Sequence, residues 1–207
     1  MSEERIFIQS GGIRLEGRFH SGNPSRGGAV IAHPHPQMGG SMDNNVVEAI
    51  CGAFQTFGFA TLRFNFRGVG LSEGRYDGGR GEQDDIRAAV DDLTDRAISP
   101  IILAGYSFGA WVIARLYARE PLPHEVVFVS PPIDILDTEF QPLSGVLKRV
   151  VCGGRDSFCD PSTLQRRLDE IGCPLDIAAD ADHFFFGRET VIGATIKKYL
   201  ENTVKIP

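Results

Sequence analysis

Apolar positions along the chain fall into two patterns, and each pattern predicts a different kind of element. Short unbroken apolar runs, such as Gly28–Ala32 and Ile101–Ala104, are typical of strands with two buried faces. In Asn44–Phe57 the apolar residues recur at spacings of three and four, which indicates an amphipathic helix. Segments of the two kinds alternate through most of the sequence. The pattern therefore predicts a mostly parallel sheet whose strands are connected by helices.

The N-terminal segments follow a different pattern. Arg5–Ser10 and Ile13–His20 are separated by Gly11-Gly12, which predicts an antiparallel hairpin. Apolar and polar residues alternate in the second segment, so we expect one face of that strand, including Glu16, to be solvated.

The remaining elements complete an α/β arrangement. Strands are predicted at Ala60–Phe66, Glu125–Ser130, Lys148–Cys152 and Leu175–Ala178, and helices at Gln83–Ala97, Ala110–Ala118, Pro161–Glu170 and Thr190–Asn202. Around the start of the first of these helices, Glu82, Asp84 and Asp85 are expected to form a solvated acidic face. No linker or repeat interrupts the sequence, so residues 1–207 are expected to form one domain. Its sheet would be mostly parallel, with antiparallel N-terminal strands and helices on both faces.

The strongest candidate for chemistry is the serine in Gly105-Tyr106-Ser107-Phe108-Gly109. It follows a buried strand and precedes a helix, with the G-x-S-x-G spacing of a nucleophile elbow. Glycines flank the serine because a Cβ there would collide with the neighbouring strand or helix. The motif predicts that Ser107 is a nucleophile held clear of the sheet.

A serine hydroxyl needs a base, and the base needs an orienting carboxylate. His183 follows the last predicted strand, and Asp156 follows another strand and a Gly-Gly turn. Both should share the rim at the carboxyl ends of the strands with Ser107. Asp160 is the rival carboxylate, although a helix N-cap role also accounts for it. The chain order Ser107, Asp156, His183 is that of α/β-hydrolases.

An oxyanion hole would complete such a site. One donor is expected to be the backbone N–H of Phe108, and the other should come from the loop after Gly28–Ala32. His35 is the first candidate there and Gln37 the second, because the neighbouring prolines lack an N–H. The side chains of His33 and His35 also invite a metal interpretation, but no third ligand accompanies them. No metal or cofactor is therefore expected.

Composition narrows the classes of partner and compartment. The net charge of −6 disfavours nucleic acid and anionic membranes as partners. No stretch resembles a secretory signal or a membrane span, and the four cysteines form no C-x-x-C pair. We expect free thiols in the cytoplasm. A homodimer formed through a sheet edge or through the short Pro131–Ser144 segment remains open.

Several motifs together carry a family resemblance. They are HPHPQMGGSMDNNVV, FNFRGVGLSEGRYDGGRGEQDD, AGYSFGA, GGRD and DHFF. The chain resembles the α/β-hydrolase superfamily, and within it the small lidless bacterial hydrolases or carboxylesterases that are similar to dienelactone hydrolases. The resemblance implies a Ser107, Asp156 and His183 triad and an oxyanion loop around His35. Dienelactone hydrolases use a cysteine nucleophile, so Ser107 argues against their particular substrate.

The expected function is hydrolysis of a small carboxylic ester or thioester through an acyl-enzyme. A peptidase or amidase of the same fold is an alternative, and a non-catalytic ligand-binding protein is another. Candidate residues for an apolar substrate pocket are Met38, Tyr106, Phe140, Phe158 and Phe184, although each of these could equally be core packing. The Pro131–Ser144 segment is too short for the bulky lid of larger relatives.

Overall fold

A single sheet organises the computed structural model, which describes residues 2–23 and 25–203. Within those residues the sheet has eight strands. Their bounds are β1 Glu4–Ser10, β2 Ile13–His20, β3 Gly28–Ala32, β4 Ala60–Phe64, β5 Ile101–Tyr106, β6 Glu125–Val129, β7 Leu147–Gly153 and β8 Leu175–Ala178. Their order across the sheet is β1-β2-β4-β3-β5-β6-β7-β8. β2 pairs antiparallel with both β1 and β4, and all other neighbours are parallel.

Helices cover both faces of this sheet and divide the core into two layers. Their bounds are α1 Asn45–Thr56, α2 Gly81–Asp95, α3 Phe108–Arg119, α4 Pro161–Asp169 and α5 Glu189–Thr203. The layer under α2, α3 and α4 includes Leu103 of β5 and Val112 of α3. The layer under α1 and α5 includes the next strand residue, Ala104, together with Ile50 and Ile196. Successive strand residues thus serve opposite layers, as the alternation of side chains along a strand requires.

The predicted fold class is confirmed, and the element bounds differ only at their ends. β3 and β8 coincide with their predicted ranges, whereas β4 ends at Phe64 rather than Phe66. The Asn65 N–H still donates to the Glu16 carbonyl of β2, but the Phe66 N–H donates to the imidazole of His33 instead of to a neighbouring strand. No helix within the described residues is both long and apolar enough to cross a bilayer.

The prediction of a solvated face on β2 is wrong at Glu16. This side chain is buried, and its Oε2 accepts hydrogen bonds from the Asn65 amide at 3.0 Å and the Leu71 backbone N–H at 3.0 Å. The Glu16 backbone N–H donates to Ser72 Oγ at 2.9 Å. A buried carboxylate is tolerated when donors satisfy it in this way. Glu16 therefore ties the loop after β4 to the sheet.

The prediction of a solvated acidic face on α2 is also wrong, at Glu82 and Asp85. Both residues are fully buried. Glu82 accepts hydrogen bonds from the backbone N–H groups of Asp77 and Gly79 at 2.9 and 2.8 Å. Asp85 accepts from Arg67 and from the Ser10 hydroxyl. The acidic start of α2 thus anchors the loop formed by residues 65–80 instead of facing water.

Candidate active site

Ser107 lies at the turn between β5 and α3 in a strained backbone conformation. Its φ of 52° and ψ of −119° are values that a residue with a Cβ rarely adopts. The adjoining helix begins at Phe108, and the Ser107 N–H donates to the Val129 carbonyl of β6 at 3.0 Å. A Cβ on Gly109 would lie 2.3 Å from the Ala32 carbonyl oxygen, and one on Gly105 would lie 2.6 Å from Ala110 Cα. Both glycines are therefore required for this sharp turn.

Two loops bring a histidine and a carboxylate to this turn. His183 Nε2 lies 2.9 Å from Ser107 Oγ, and His183 Nδ1 lies 2.9 and 2.8 Å from the two Asp156 carboxylate oxygens. The loops after β7 and β8 can approach because Gly153 has no side chain. A Cβ there would lie 2.6 Å from the Asp182 carbonyl oxygen. The structure thus places the three predicted residues in one hydrogen-bonded chain.

Hydrogen bonding assigns the imidazole tautomer in this chain. The Asp156 side chain is inaccessible to solvent, and its Oδ1 also accepts the Phe158 N–H at 2.9 Å. Since a carboxylate only accepts, Nδ1 of His183 carries the proton. Nε2 is then free to accept the Ser107 hydroxyl proton. The Tyr106 hydroxyl further fixes the loop by donating to the His183 carbonyl at 2.9 Å.

Asp160, the rival carboxylate, has another role. Its side chain accepts the Thr163 N–H at 2.8 Å and the Ser162 hydroxyl at 2.7 Å, and it caps the N-terminus of α4. These hydrogen bonds lower the pKa of Asp160, with the Ser162 hydroxyl contributing most. The predicted N-cap is confirmed, and Asp156 is the carboxylate that contacts His183.

A cavity of about 290 Å³ opens onto Ser107 and His183. Of the predicted pocket residues, four line it: Met38, Tyr106, Phe158 and Phe184. The other lining residues are Pro34, His35, Gly39, Gly40, Asn44, Phe108, Pro132, Ile135 and Leu136. The ionisable side chains in the cavity wall are those of His35, His183 and Tyr106. Burial raises the pKa of the Tyr106 phenol above its usual value. The cavity wall therefore carries no Asp, Glu, Lys or Arg side chain.

The expectation that Phe140 lines the substrate pocket is corrected by its position. Phe140 is buried in the layer beneath α3 and is not part of the cavity wall. The segment that contains it does contribute to the wall, but through Pro132, Ile135 and Leu136. The sequence does not distinguish these three positions from Phe140, because an irregular segment has no periodicity that separates inward from outward positions.

The loop after β3 forms a tight turn beside the serine. The His35 carbonyl accepts the N–H groups of Met38 and Gly40, both at 3.0 Å. The Gln37 N–H donates to His35 Nδ1 at 3.2 Å, so the second candidate donor for an oxyanion is already engaged. The His35 ring packs 4.8 Å from the Phe108 ring, between centroids, and its Nε2 lies 3.2 Å from the Tyr76 hydroxyl. Burial lowers the pKa of His35 although the Glu82 carboxylate opposes this shift.

His33 has a structural environment. It is fully buried, its Nδ1 donates to the Pro34 carbonyl at 2.6 Å, and its Nε2 accepts the Phe66 N–H at 3.0 Å. Burial lowers the pKa of His33 to about 4, so the ring is neutral around pH 7. With both nitrogens occupied, His33 joins the loop after β3 to the loop after β4. Within the described residues no group of His, Cys, Asp or Glu side chains could hold a metal ion.

A second cavity, of about 590 Å³, is larger but shares no lining residue with the first. It lies along α2 and α3, where Arg67, Arg119 and Asp84 contribute charges. Arg119 pairs with Asp84 at 3.1 Å, and Arg67 pairs with Asp85 at 2.7 Å. The smaller cavity is the better candidate for chemistry because it contains the nucleophile and its base.

Comparison with known proteins identifies the family. Residues 38–153 match the family described as "Serine aminopeptidase, S33". The chain is 35% identical over 210 residues to the uncharacterized protein RP471 of Rickettsia prowazekii, covering 95% of this chain and 88% of that protein. XC6422 of Xanthomonas campestris, described as an α/β serine hydrolase without lid, superposes with a TM-score of 0.86 at 28% identity and covers 100% of this chain and 97% of that one.

A further relative matches only part of the chain. The human mitochondrial palmitoyl-protein thioesterase ABHD10 is 34% identical over 111 residues, which is 51% of this chain and 33% of that protein. The description of XC6422 as a hydrolase without lid agrees with the short segment between β6 and β7 in this chain. The chain therefore belongs to the serine aminopeptidase S33 family of α/β-hydrolases and has the fold of their lidless serine hydrolases.

Proposed function

We propose that the protein hydrolyses carboxylic esters or thioesters of small substrates through an acyl-enzyme on Ser107. The observation that carries this proposal is the hydrogen-bonded chain from Asp156 through His183 to the Ser107 hydroxyl, which ends in a cavity without Asp, Glu, Lys or Arg side chains. A nucleophile, a base with an assigned tautomer and space for an acyl group are the parts that acyl transfer requires.

In the first half-reaction, Ser107 Oγ attacks the carbonyl carbon while its proton passes to His183 Nε2. The new imidazolium is stabilised by the buried Asp156 carboxylate. Collapse of the tetrahedral intermediate breaks the bond to the leaving alkoxide or thiolate, which takes the proton from Nε2. The acyl group remains on Ser107. Water then repeats the sequence with His183 as base and releases the acid.

The negative oxygen of the intermediate needs donors. Phe108 is the first residue of α3, so its N–H has no partner inside the helix, and the helix dipole favours negative charge there. The His35 N–H is the second donor that we propose. Gln37 is disfavoured because its N–H donates to the His35 ring.

A cavity wall without carboxylates favours esters and thioesters over N-terminal amides of peptides. An aminopeptidase must hold the free ammonium group of its substrate, and a buried ammonium needs a carboxylate partner. None of the residues lining the cavity carries a carboxylate. The relative named a palmitoyl-protein thioesterase agrees with the thioester side of the proposal. Peptidase activity is the second candidate, favoured by the description of the family.

We also propose that one cytoplasmic domain carries the reaction. All three reacting side chains follow strands of the same sheet. The four cysteines are free and buried, and burial raises the pKa values of the Cys51 and Cys173 thiols to about 12. Such thiols are unreactive and suit a reducing compartment.

A fluorophosphonate probe followed by peptide mapping tests the proposal directly. We expect a single adduct on Ser107, and no adduct in the Ser107→Ala variant. Hydrolysis of p-nitrophenyl esters should fall in that variant by about 10³-fold or more. Absence of labelling in the wild-type protein would contradict the mechanism and favour a non-catalytic binding protein. Faster turnover of aminoacyl p-nitroanilides than of the matching esters would favour the peptidase.

A further inference from the structure

Exposed apolar side chains concentrate at the mouth of the cavity that holds Ser107. Among the described residues, seven large apolar side chains are exposed; three of them line this cavity and a fourth stacks on one of the three. These four, which we call the apolar collar, are Met38 at 72% exposure, Ile135 at 57%, Phe184 at 45% and Phe186 at 73%. Scattered exposed apolar residues are ordinary, whereas a contiguous group around an opening indicates a binding surface.

The backbone holds the aromatic part of the collar in place. Phe185 lies between the two exposed phenylalanines, is fully buried and has a φ of +53°, which is uncommon for an aromatic residue. Asp182 Oδ1 accepts the N–H groups of Phe184 and Phe185 at 2.9 and 3.1 Å. Asn45 donates to the Phe184 carbonyl at 3.0 Å. The loop after β8 is thus anchored with one ring inward and the two neighbouring rings outward.

The two outward rings extend the cavity away from the reacting atoms. The Phe184 ring meets His183 edge to face, with centroids 5.6 Å apart, and Phe186 stacks on Phe184 with centroids 6.1 Å apart and planes within 21°. An apolar path therefore begins beside the base and continues onto the surface. Met38 and Ile135 come from the loops after β3 and β6.

The side chains along this path indicate what kind of ligand it would bind. The cavity and collar together contain no Asp, Glu, Lys or Arg side chain. The chain carries a net charge of −6, which disfavours an anionic membrane surface as the partner that covers the collar. The cavity of about 290 Å³ is slightly smaller than the roughly 300–1,000 Å³ that is usual for small-molecule sites. A long substrate chain must therefore continue outside it, where the collar offers apolar contact.

We propose that the apolar collar binds the distal part of a long unbranched acyl chain whose first carbons fill the cavity. This inference rests on the proposed function and names its substrate class as long-chain acyl esters or thioesters. The collar is exposed in the free enzyme and becomes covered by the substrate itself, since the segment between β6 and β7 is too short to cover it.

The test is a chain-length series of p-nitrophenyl esters from butanoyl to dodecanoyl, each used below the concentration at which it forms micelles. In the wild-type enzyme kcat/KM should rise with length. One-sided contact gives about half of the full transfer free energy of a methylene, which is roughly a twofold rise per methylene. In Phe186→Ser and Met38→Ser the ratio of dodecanoyl to butanoyl kcat/KM should fall by about 5-fold to 10-fold.

The matched control is Phe7→Ser on β1. Phe7 is 44% exposed, close to the 45% of Phe184, and lies outside the cavity wall. Its chain-length ratio should equal that of the wild type. Fluorophosphonate labelling of Ser107, measured on every variant, separates the two hypotheses. Absence of labelling in all proteins overturns the proposed function, whereas full labelling with a flat or falling chain-length profile overturns the collar alone.

The alternative is that a second copy of this chain covers the apolar collar. Sedimentation velocity measures whether the protein forms such a dimer. Dimerisation that Phe186→Ser abolishes, together with an unchanged chain-length ratio, would assign the collar to self-association and overturn our proposal. A monomeric wild-type protein whose ratio falls in both collar variants supports it.

Discussion

Asp156 and Asp85 both have side chains that are inaccessible to solvent, yet their partners differ. Asp85 accepts hydrogen bonds from the Arg67 guanidinium at 2.7 and 3.0 Å and from the Ser10 hydroxyl at 2.8 Å. Asp156 faces His183, whose other nitrogen contacts Ser107 at the cavity. Asp85 is paired with a group that remains charged at all relevant pH values. The partner of Asp156 can gain and lose a proton.

This difference separates a structural carboxylate from a candidate catalytic one more clearly than burial does. The hydrogen bonds of Asp85 are made only to other protein groups, so they contribute to stability and fix the conformation of the loop after β4. Those around Asp156 continue to a hydroxyl that a substrate can reach. We therefore expect substitution of Asp156 to affect turnover most and substitution of Asp85 to affect stability most.

Asp156→Asn should have the largest effect, a fall in kcat/KM of about 10³-fold to 10⁴-fold. The amide has one oxygen to accept the Phe158 N–H, so its NH₂ group would face His183 Nδ1. The imidazole would then carry its proton on Nε2 and could no longer accept the Ser107 proton. Steady-state hydrolysis of a p-nitrophenyl ester measures the change.

Asp160→Asn is the control for this substitution, since it makes the same chemical change four residues away. Asn is also a good N-cap, so both stability and turnover should remain close to wild type. Equal losses in Asp156→Asn and Asp160→Asn would show that the loop conformation, and not the carboxylate at Asp156, determines turnover.

Asp85→Asn should affect stability instead of turnover, and we expect it to lower the free energy of unfolding by about 3 kcal/mol. The amide NH₂ would face donors of Arg67 and leave the mostly buried guanidinium without its counter-charge. Urea denaturation measures the loss. Turnover per folded molecule should change little, and a loss as large as that of Asp156→Asn would place Asp85 in the chemistry.

The same contrast explains what the sequence could predict. Ser107, Asp156 and His183 each follow a strand of the sheet, and the carboxyl ends of parallel strands meet at one rim. Their proximity was therefore predictable from local patterns. The glycines at positions 105, 109 and 153 reinforced the prediction, because each marks a close approach that the structure contains.

The incorrect expectations share a different cause. Glu16, Glu82 and Asp85 look like surface residues because local patterns contain only sequence neighbours. Asp85 accepts a hydrogen bond from Ser10, 75 positions away, and Glu16 accepts one from Asn65, 49 positions away.

Two collar residues, Met38 and Phe184, were among the predicted pocket residues, but local patterns did not show that they are exposed at its mouth. The sequence Phe184-Phe185-Phe186 is the same whether all three rings are buried or only Phe185 is, so it does not show which rings are exposed.

A third test sharpens the contrast between His33 and His183. His33 is neutral when folded, and its pKa of about 4 is below the unfolded value near 6.5. Below pH 6.5 the unfolded chain binds a proton that the folded chain does not. Stability is therefore complete above that pH and decreases as pH falls towards 4. The His33 contribution at pH 5 is a loss of about 2 kcal/mol relative to pH 7.

The measurement is urea denaturation of the wild-type protein and His33→Asn at both pH values. Asn does not titrate in this range, so the variant should be less stable at pH 7 and lose about 2 kcal/mol less between the two pH values. An identical pH dependence in both proteins would show that other groups are responsible.

The smallest expected effect concerns His35. Its proposed role is to support the oxyanion turn, which is neither the structural role of His33 nor the proposed catalytic role of His183. Its ring accepts the Gln37 N–H and contacts Phe108, while its backbone N–H is the proposed oxyanion donor. His35→Ala keeps that N–H and removes the support of the turn. We expect kcat to fall by about 5-fold to 10-fold, which corresponds to one ordinary hydrogen bond, with KM nearly unchanged.

His35→Asn is the conservative variant, because an Asn side chain accepts the N–H two residues later in an Asx turn. It should recover most of the activity that His35→Ala loses, which a role of the ring in proton transfer would not allow. Equal losses in the two variants would contradict support of the turn through the Gln37 N–H. The imidazole of His35 would then act on the substrate, and His35 would be a candidate catalytic residue like His183.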